Sequence, residues 1–415
     1  MRPGDLDDLE SGMAQVAAET WPPAWPAEPA LPQALPRPSL GPLRALLGPV
    51  RRLLDRIRAW PLTFPIAVAI ASRIYSSILL ALVQPLQALW FGPNLGVPRL
   101  TGFTSPFVQW DSQWYLTIAN TGYHAAAMQS GPNGGRHDFA FFPAWPTVLR
   151  GMEALGIPAA QWAAPLASVL FVAAAVAMYV VLRRRLGLTA ARWGIVLLAF
   201  SPPAFVLSMA YSEPLFLLLL GLVLAVRSGP LKAALGFCLG GARVSSLALA
   251  LGSGVRWLRD WRDWRALLTA AAIGAGFAAW WAFIWVLTGD PLGWFQGSAQ
   301  WSHSLGFEGI RRAVESFSTP RLGALLFVGA ILAASLALAR RDLELGILSV
   351  VAIGLSIVGA PVESMPRHAL VAFPAFGMLA TRLGPRRSLW LAIGFAILQA
   401  DYVVIAFLGT EPLSP

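Results

Sequence analysis

The chain has 415 residues, 56% of them hydrophobic and only 13% charged, with a net charge of +10 and a mean hydropathy of +0.61. So little charge cannot cover the surface of a soluble domain, whereas a lipid-facing bundle needs no such cover. The basic residues gather in short clusters between apolar runs, such as Arg183-Arg184-Arg185, Arg340-Arg341 and Arg386-Arg387, which suits cytoplasmic anchoring under the positive-inside rule and argues against a nucleic-acid partner.

Taken in order, residues 1–42 are rich in Pro and Ala and carry Asp5, Asp7, Asp8 and Glu10. They lack a basic start followed by an apolar stretch, so they read as a disordered cytoplasmic tail and not as a signal peptide. Over 43–60, Leu43, Leu46, Leu47, Val50, Leu53, Leu54 and Ile57 recur at helical spacing, with Arg44, Arg51, Arg52, Arg56 and Arg58 between them. That pattern predicts an amphipathic interfacial helix on an anionic membrane surface, interrupted at Pro49. Residues 61–415 form the transmembrane domain. Its apolar runs reach the ~20 residues that cross a ~30 Å hydrocarbon core. There every backbone polar group must be paired, so helices are expected, and the short alternating segments of a membrane barrel are absent. Nine full spans are predicted, near 62–90, 162–182, 190–211, 212–227, 265–287, 321–339, 343–360, 367–382 and 389–409.

Residues 231–255 break the pattern, because basic residues flank both ends: Arg227 and Lys232 before, Arg256, Arg259, Arg262 and Arg265 after. A single span would place one cluster outside. The polar middle, Gly240-Gly241-Ala242-Arg243-Val244-Ser245-Ser246, predicts instead a broken hairpin of two half-length helices. Irregular backbone of this kind is tolerated at membrane depth where it is buried in protein or lines a wet cavity. The resulting topology has a cytoplasmic N-terminus and two long outer loops, 91–161 and 288–320, the first with an interfacial helix around Val148–Leu155. The lone Cys238 allows no disulfide within the chain. An Arg-, Ala-, Gly- and Pro-rich composition points to a GC-rich bacterial source, hence to a bacterial plasma membrane.

The first outer loop holds Gln109-Trp110-Asp111-Ser112-Gln113-Trp114-Tyr115 and then Thr121-Gly122-Tyr123-His124. Aromatic rings stack on sugars, and a carboxylate among them can take a proton from an attacking hydroxyl. The structural alternative is an interfacial aromatic belt around a solvated or salt-bridged Asp. Other groups fall at outer span ends: Glu213 in the turn Tyr211-Ser212-Glu213, Arg243 at the hairpin apex, and Glu363, Arg367 and His368, with Asp290 and Trp301 in the second loop. Charges at membrane depth are costly, so they pair or bind something. Arg243 can hold a phosphate at two points, or pair with one of these acids. Arg73 and Asp401 read as structural, by pairing or snorkelling. His124 and His303 read as interfacial hydrogen-bonders, and no metal-ligand spacing or cofactor motif appears. No nucleotide-binding motif and no Asp-x-Asp in an outer loop is present either. An outward-facing sugar transferase would therefore draw on a lipid-carried donor, such as a polyprenyl-phosphate sugar.

Five motifs then stand in order: Trp110-Asp111-Ser112-x-x-Tyr115-x-x-Ile118-Ala119-x-x-Gly122-Tyr123, Ala140-Phe141-Phe142-Pro143-x-x-Pro146, Tyr211-Ser212-Glu213-x-Leu215-Phe216, Gly289-Asp290-Pro291-Leu292 and Met365-Pro366-Arg367-His368. Together the set resembles the V-type GPI-anchor mannosyltransferase family of the GT-C superfamily, over about residues 60–409. The resemblance implies an all-α GT-C-like bundle that transfers mannose, or a related sugar, from a polyprenyl phosphate with inversion. The acceptor would be a glycan, glycolipid or protein, and membrane lipids would surround the bundle. Asp111 would then be the general base, Arg243 and Arg367 would bind the donor phosphate, and Trp110, Gln113, Tyr115, Tyr123, Glu213 and His368 would bind substrate. The apex Gly241-Ala242-Arg243-Val244-Ser245 departs from the family's Thr-Arg-Ser/Pro style, and His368 replaces a common Tyr. Two rival readings are a transporter or flippase of a lipid-linked glycan, which should show repeated broken segments, and a non-catalytic scaffold in a glycan-assembly complex.

Overall fold

The computed structural model describes residues 62–91, 105–128, 135–299, 301, 311, 315 and 318–408. The predicted tail (1–42) and interfacial helix (43–60) lie outside the described residues. Within them the regular elements are all helices: α1 Thr63–Phe91, α2 Asp111–Thr121, α3 Ala144–Ala154, α4 Ala159–Arg185, α5 Leu188–Ala199, α6 Glu213–Ala225, α7 Gly229–Gly240, α8 Ser246–Arg259, α9 Trp264–Thr288, α10 Gly293–Ala299, α11 Thr319–Ala339, α12 Leu343–Gly359, α13 Met365–His368 and α14 Phe373–Leu408. Short 3₁₀ turns join several of them. Five helical segments are long and apolar enough to cross a membrane, six if one bent pair is counted, and the protein is a multi-pass membrane protein.

The count of nine spans is not reached by that measure, and the reasons are local. The run near 190–211 is α5 followed by a 3₁₀ segment Pro202–Ser208, bent by 79°. Pro202 and Pro203 remove two backbone donors and force the turn. The run near 212–227 is α6, 13 residues long, or about 20 Å, which is short of the hydrocarbon thickness. The predicted spans 367–382 and 389–409 are counted together as one segment by length, but α14 is two helical runs broken at Gly384, where φ is 72°. That left-handed φ suits glycine. The Phe327 ring lies within 6.3 Å of Phe376 and 5.7 Å of Phe395. In a straight helix those two phenylalanines would stand about 28 Å apart, so the chain doubles back at Gly384.

Polarity is inverted relative to a soluble bundle. On α1, Ile70, Ile74, Ile78 and Leu82 recur every fourth residue and are exposed, while Ser72, Arg73, Ser76 and Gln87 are buried. Four-residue spacing places each set on one face. The buried face stitches α1 to the last helix: Tyr75 Oη donates to the Ala396 carbonyl (2.6 Å), Gln399 Nε2 to Ser76 Oγ (3.2 Å) and Gln87 Nε2 to the Phe407 carbonyl (3.0 Å). Arg73 is structural, as expected. It donates to the carbonyls of Ala204 (2.8 Å) and Ala199 (3.2 Å) and to Ser208 Oγ (3.0 Å), and its guanidinium lies 4.5 Å from the Phe171 ring centroid. The Ala199 carbonyl is one the proline break leaves without a helical donor, because Pro202 and Pro203 stand where its partners would be. Asp401 is exposed on α14, with no ion pair among the described residues.

The broken hairpin is present. Helix α7 runs alongside α9 in the same direction, with Gly229 against Trp264, Gly236 against Ala272 and Gly240 against Ile273. The chain turns at 241–245, and α8 returns. Lys232 and Arg256, near the two free ends, line one cavity. A Cβ added at Gly240 would overlap the Ile273 carbonyl oxygen, and one at Gly276 would overlap that of Phe237. Such close backbone approach is how small residues associate helices in lipid. Gly276→Val is therefore expected to cost about 1–3 kcal/mol, read as a lower melting temperature in detergent. Gly274→Val, where an added Cβ meets nothing within 4 Å, is the control.

Three of the four predicted arginine clusters converge at the free ends of the hairpin. Arg185 holds Asp342 at 2.6 Å and Glu344 at 2.9 Å, Arg256 holds Glu344 at 2.8 Å, and Arg341 donates to the Leu186 carbonyl. The apex therefore points to the other end.

Candidate active site

At the apex end the elements bring four charged side chains together. Asp111 opens α2, where the positive end of the helix dipole favours a carboxylate. Glu213 likewise opens α6, with Pro214 in the first turn. Arg243 comes from the hairpin turn and Arg367 from α13. Asp111 Oδ2 lies 2.7 Å from Arg367 Nη1, Glu213 Oε1 lies 3.4 Å from Arg367 Nε, and the same oxygen lies 2.8 Å from Arg243 Nη1. Arg243 Nη1 also donates to Ser212 Oγ (3.0 Å), which shares a 2.8 Å hydrogen bond with Tyr115 Oη. The Arg367 guanidinium carbon sits 5.1 Å from the Tyr211 ring centroid.

This row of two carboxylates and two guanidiniums is charge-balanced, which is what makes its burial tolerable. Glu213 is 2% exposed, Arg367 7%, Arg243 14% and Asp111 24%, so Asp111 is the most open. The hydrogen bonding is incomplete. Both Glu213 carboxylate oxygens, Arg367 Nε and Tyr211 Oη are buried without an aligned hydrogen bond. The Arg243–Glu213 contact is short but poorly directed. Buried groups left in that condition are candidates for meeting a ligand. Asp111 accepts through Oδ2, and its Oδ1 takes no hydrogen bond from the described residues. Arg243 spends only Nη1, which leaves one edge of its planar fork open.

Backbone strain marks the same place. Trp110, just before α2, has φ 50° and ψ −117°, a region that non-glycine residues avoid and that tends to occur at functional sites. Its ring packs on Phe407 at 4.6 Å between centroids.

The other expected substrate-binding residues divide. Tyr115 belongs to the cluster through Ser212, and burial pushes its phenol above the ordinary tyrosine range, so it stays protonated. His368 Nε2 lies 3.4 Å from Arg367 Nη2. Gln113 is exposed on α2. Tyr123 belongs elsewhere: its hydroxyl donates to the Phe141 carbonyl and its ring packs on Trp280 and Phe283 of α9. Asp290 organises its own turn, accepting from Leu292 N and Gln296 Nε2. Beside the charged row stands an aromatic group in which Trp114 stacks on Phe141 at 5.6 Å and Trp301 meets both edge-on.

Two features escape a linear reading. Asp138, an acid outside the matched motifs, is fully buried, with Oδ2 on His124 Nδ1 at 2.8 Å and on the His124 backbone N–H at 3.0 Å. Burial raises its pKa against the lowering effect of His124. Only its position just ahead of the apolar Phe139–Phe142 run hinted at burial. Glu363 holds Arg321 at 2.8 Å, and its carbonyl accepts from Tyr402 Oη, which ties α11, α13 and α14 beside Arg367. No group of three or more His, Cys, Asp or Glu side chains among the described residues could hold a metal ion.

Residues 98–253 match the family described as mannosyltransferase (PIG-V). The resemblance read in the motifs is borne out over that segment, which carries Asp111, Glu213 and Arg243 and stops short of Arg367. The match supports a membrane glycosyltransferase. No curated protein matches the chain. Among solved structures, the Archaeoglobus fulgidus oligosaccharyltransferase tethered with an acceptor peptide is similar at 15% identity, with a TM-score of 0.41 over 83% of this chain and 54% of that one. The chain thus spans about half the length of that structure.

Proposed function

We propose that the protein is an inverting mannosyltransferase of the membrane, which moves a sugar from a polyprenyl-phosphate donor to an acceptor on the outer face. The observation that carries this reading is the buried Asp111–Arg367–Glu213–Arg243 row, with three of its four members inside the matched segment. Asp111 Oδ1 accepts the proton of an acceptor hydroxyl as that oxygen attacks the anomeric carbon. The bond from that carbon to the phosphate oxygen breaks through an oxocarbenium-like transition state, and polyprenyl phosphate departs with the bonding electrons.

The ion pairs divide the two arginines between roles. Arg367 is engaged with Asp111 and Glu213, so it orients the base. Arg243 keeps one edge open, and it is the better group to receive developing charge on the phosphate. Glu213 holds both guanidiniums and has acceptor capacity left for sugar hydroxyls.

The test is transfer of radiolabel from polyprenyl-phosphate mannose in membranes that express the chain. Label absent from every lipid, glycan and protein fraction, with the chain correctly inserted, would overturn the donor class. Arg243→Lys keeps the charge and loses the planar fork. At limiting donor its transfer is expected to fall at least tenfold, with a smaller loss at saturating donor. Wild-type rates at limiting donor would leave Arg243 a purely structural partner of Glu213.

A further inference from the structure

At the free ends of the α7–α8 hairpin, about 18 Å along α7 from Arg243, lies a cavity of about 360 Å³. Six cations line it: Arg184, Arg185, Arg227, Lys232, Arg256 and Arg265. Only two carboxylates, Asp263 and Glu344, face them. Both acids are already engaged. Glu344, 7% exposed, bridges Arg185 and Arg256, and Asp263 takes Arg256 at 2.6 Å while capping α9 at Ala266 N. Among the described residues no carboxylate lies within 4 Å of the other four cations. Arg184 Nη1 donates to the Ala225 carbonyl and Lys232 Nζ to that of Val223. Arg265 rests over the Trp264 ring at 5.5 Å, and Arg227 is exposed.

Anchoring at a membrane surface needs cations pointing into water, not converging on a cavity. Here the floor is fixed by the buried Glu344, which bridges Arg185 and Arg256, and unspent donors enter from α4, the α6–α7 connection, α7 and α9. Exposed apolar side chains stand next to these cations along the chain, Leu231 before Lys232 and Trp264 before Arg265, with Leu258 and Trp261 close by, and exposed tryptophans beside arginines sit at headgroup depth. We propose that this cavity binds the phosphate of an anionic membrane lipid, at a site separate from the Asp111–Arg243 row. The unspent cations take the phosphate oxygens, while the acyl chains leave past Leu231 and Trp264 into the bilayer.

The test uses the full chain in detergent and native mass spectrometry with added phosphatidylglycerol or phosphatidylcholine. Wild type is expected to retain phosphatidylglycerol in preference. Each interfacial cation lost weakens an anionic headgroup about fivefold, so Arg227→Gln/Arg265→Gln should lose about 25-fold in apparent affinity. Both side chains are exposed, so the double variant should melt like wild type. Arg227→Lys/Arg265→Lys should restore most of the retention. If inorganic phosphate raises the wild-type melting temperature, leaves the Gln variant unmoved, and the lipid is not retained, the phosphate site stands and its source is a free anion. Equal lipid retention and equal phosphate response in wild type and the Gln variant would overturn the proposal.

Discussion

Asp111→Asn is expected to lower sugar transfer by about 10²–10⁴-fold, the share that a positioned general base contributes. Asparagine keeps the size of the side chain and can still accept from Arg367 Nη1, so expression and detergent stability should stay near wild type. The charge change does unbalance the row, since Arg367 then retains only Glu213 at 3.4 Å. Donor binding therefore has to be measured alongside turnover. The control is Asp290→Asn, because Asp290 holds only its own turn through Leu292 N and Gln296, and it should lose little. An active Asp111→Asn enzyme together with a dead Glu213→Gln would move the base to Glu213 and leave the donor class untouched.

Arg73→Met is expected to be the most damaging change to the fold outside that row. Methionine fills similar apolar volume but removes the donors to Ala199 O, Ala204 O and Ser208 Oγ. Ala199 ends α5, and the residues three and four positions on are Pro202 and Pro203, so its carbonyl has no helical donor to fall back on; Ala204 lies inside the 3₁₀ segment. Charged hydrogen bonds and buried unsatisfied carbonyls are each worth about 1–3 kcal/mol, so a loss of about 3 kcal/mol or more is expected. It should appear as a clear drop in melting temperature. Arg192→Met removes an exposed guanidinium that rests 5.6 Å from Phe64 and should shift it far less. If Arg73→Met melts like wild type, the bend is held by packing alone.

Much of this architecture was legible along the chain because the membrane imposes strict one-dimensional rules. Apolar length gave helices, and basic residues on both flanks of 231–255 gave a segment that returns to its starting side, as the α7–α8 hairpin does. The polar Gly-rich middle marked its turn. Asp111, Glu213, Arg243 and Arg367 were each visible as a charge at a span end, where the cost of burial makes charge informative.

What the chain order could not carry was the break in the run 190–211, the shortness of α6 and the pairing of charges. A Pro-Pro step within an apolar run reads equally as a kinked span or as a 79° bend, and Arg73, more than a hundred residues away, supplies the donors that make the bend tolerable. Likewise, no local signal tells that Arg367 holds Asp111 across 256 positions of chain, or that Asp138 lies fully buried on His124. Apolarity and charge placement are properties of single residues under the bilayer's uniform solvent, and the sequence determined those by itself. Which donor meets which acceptor depends on distances of a few ångströms between helices remote in sequence, and only the tertiary structure decided that.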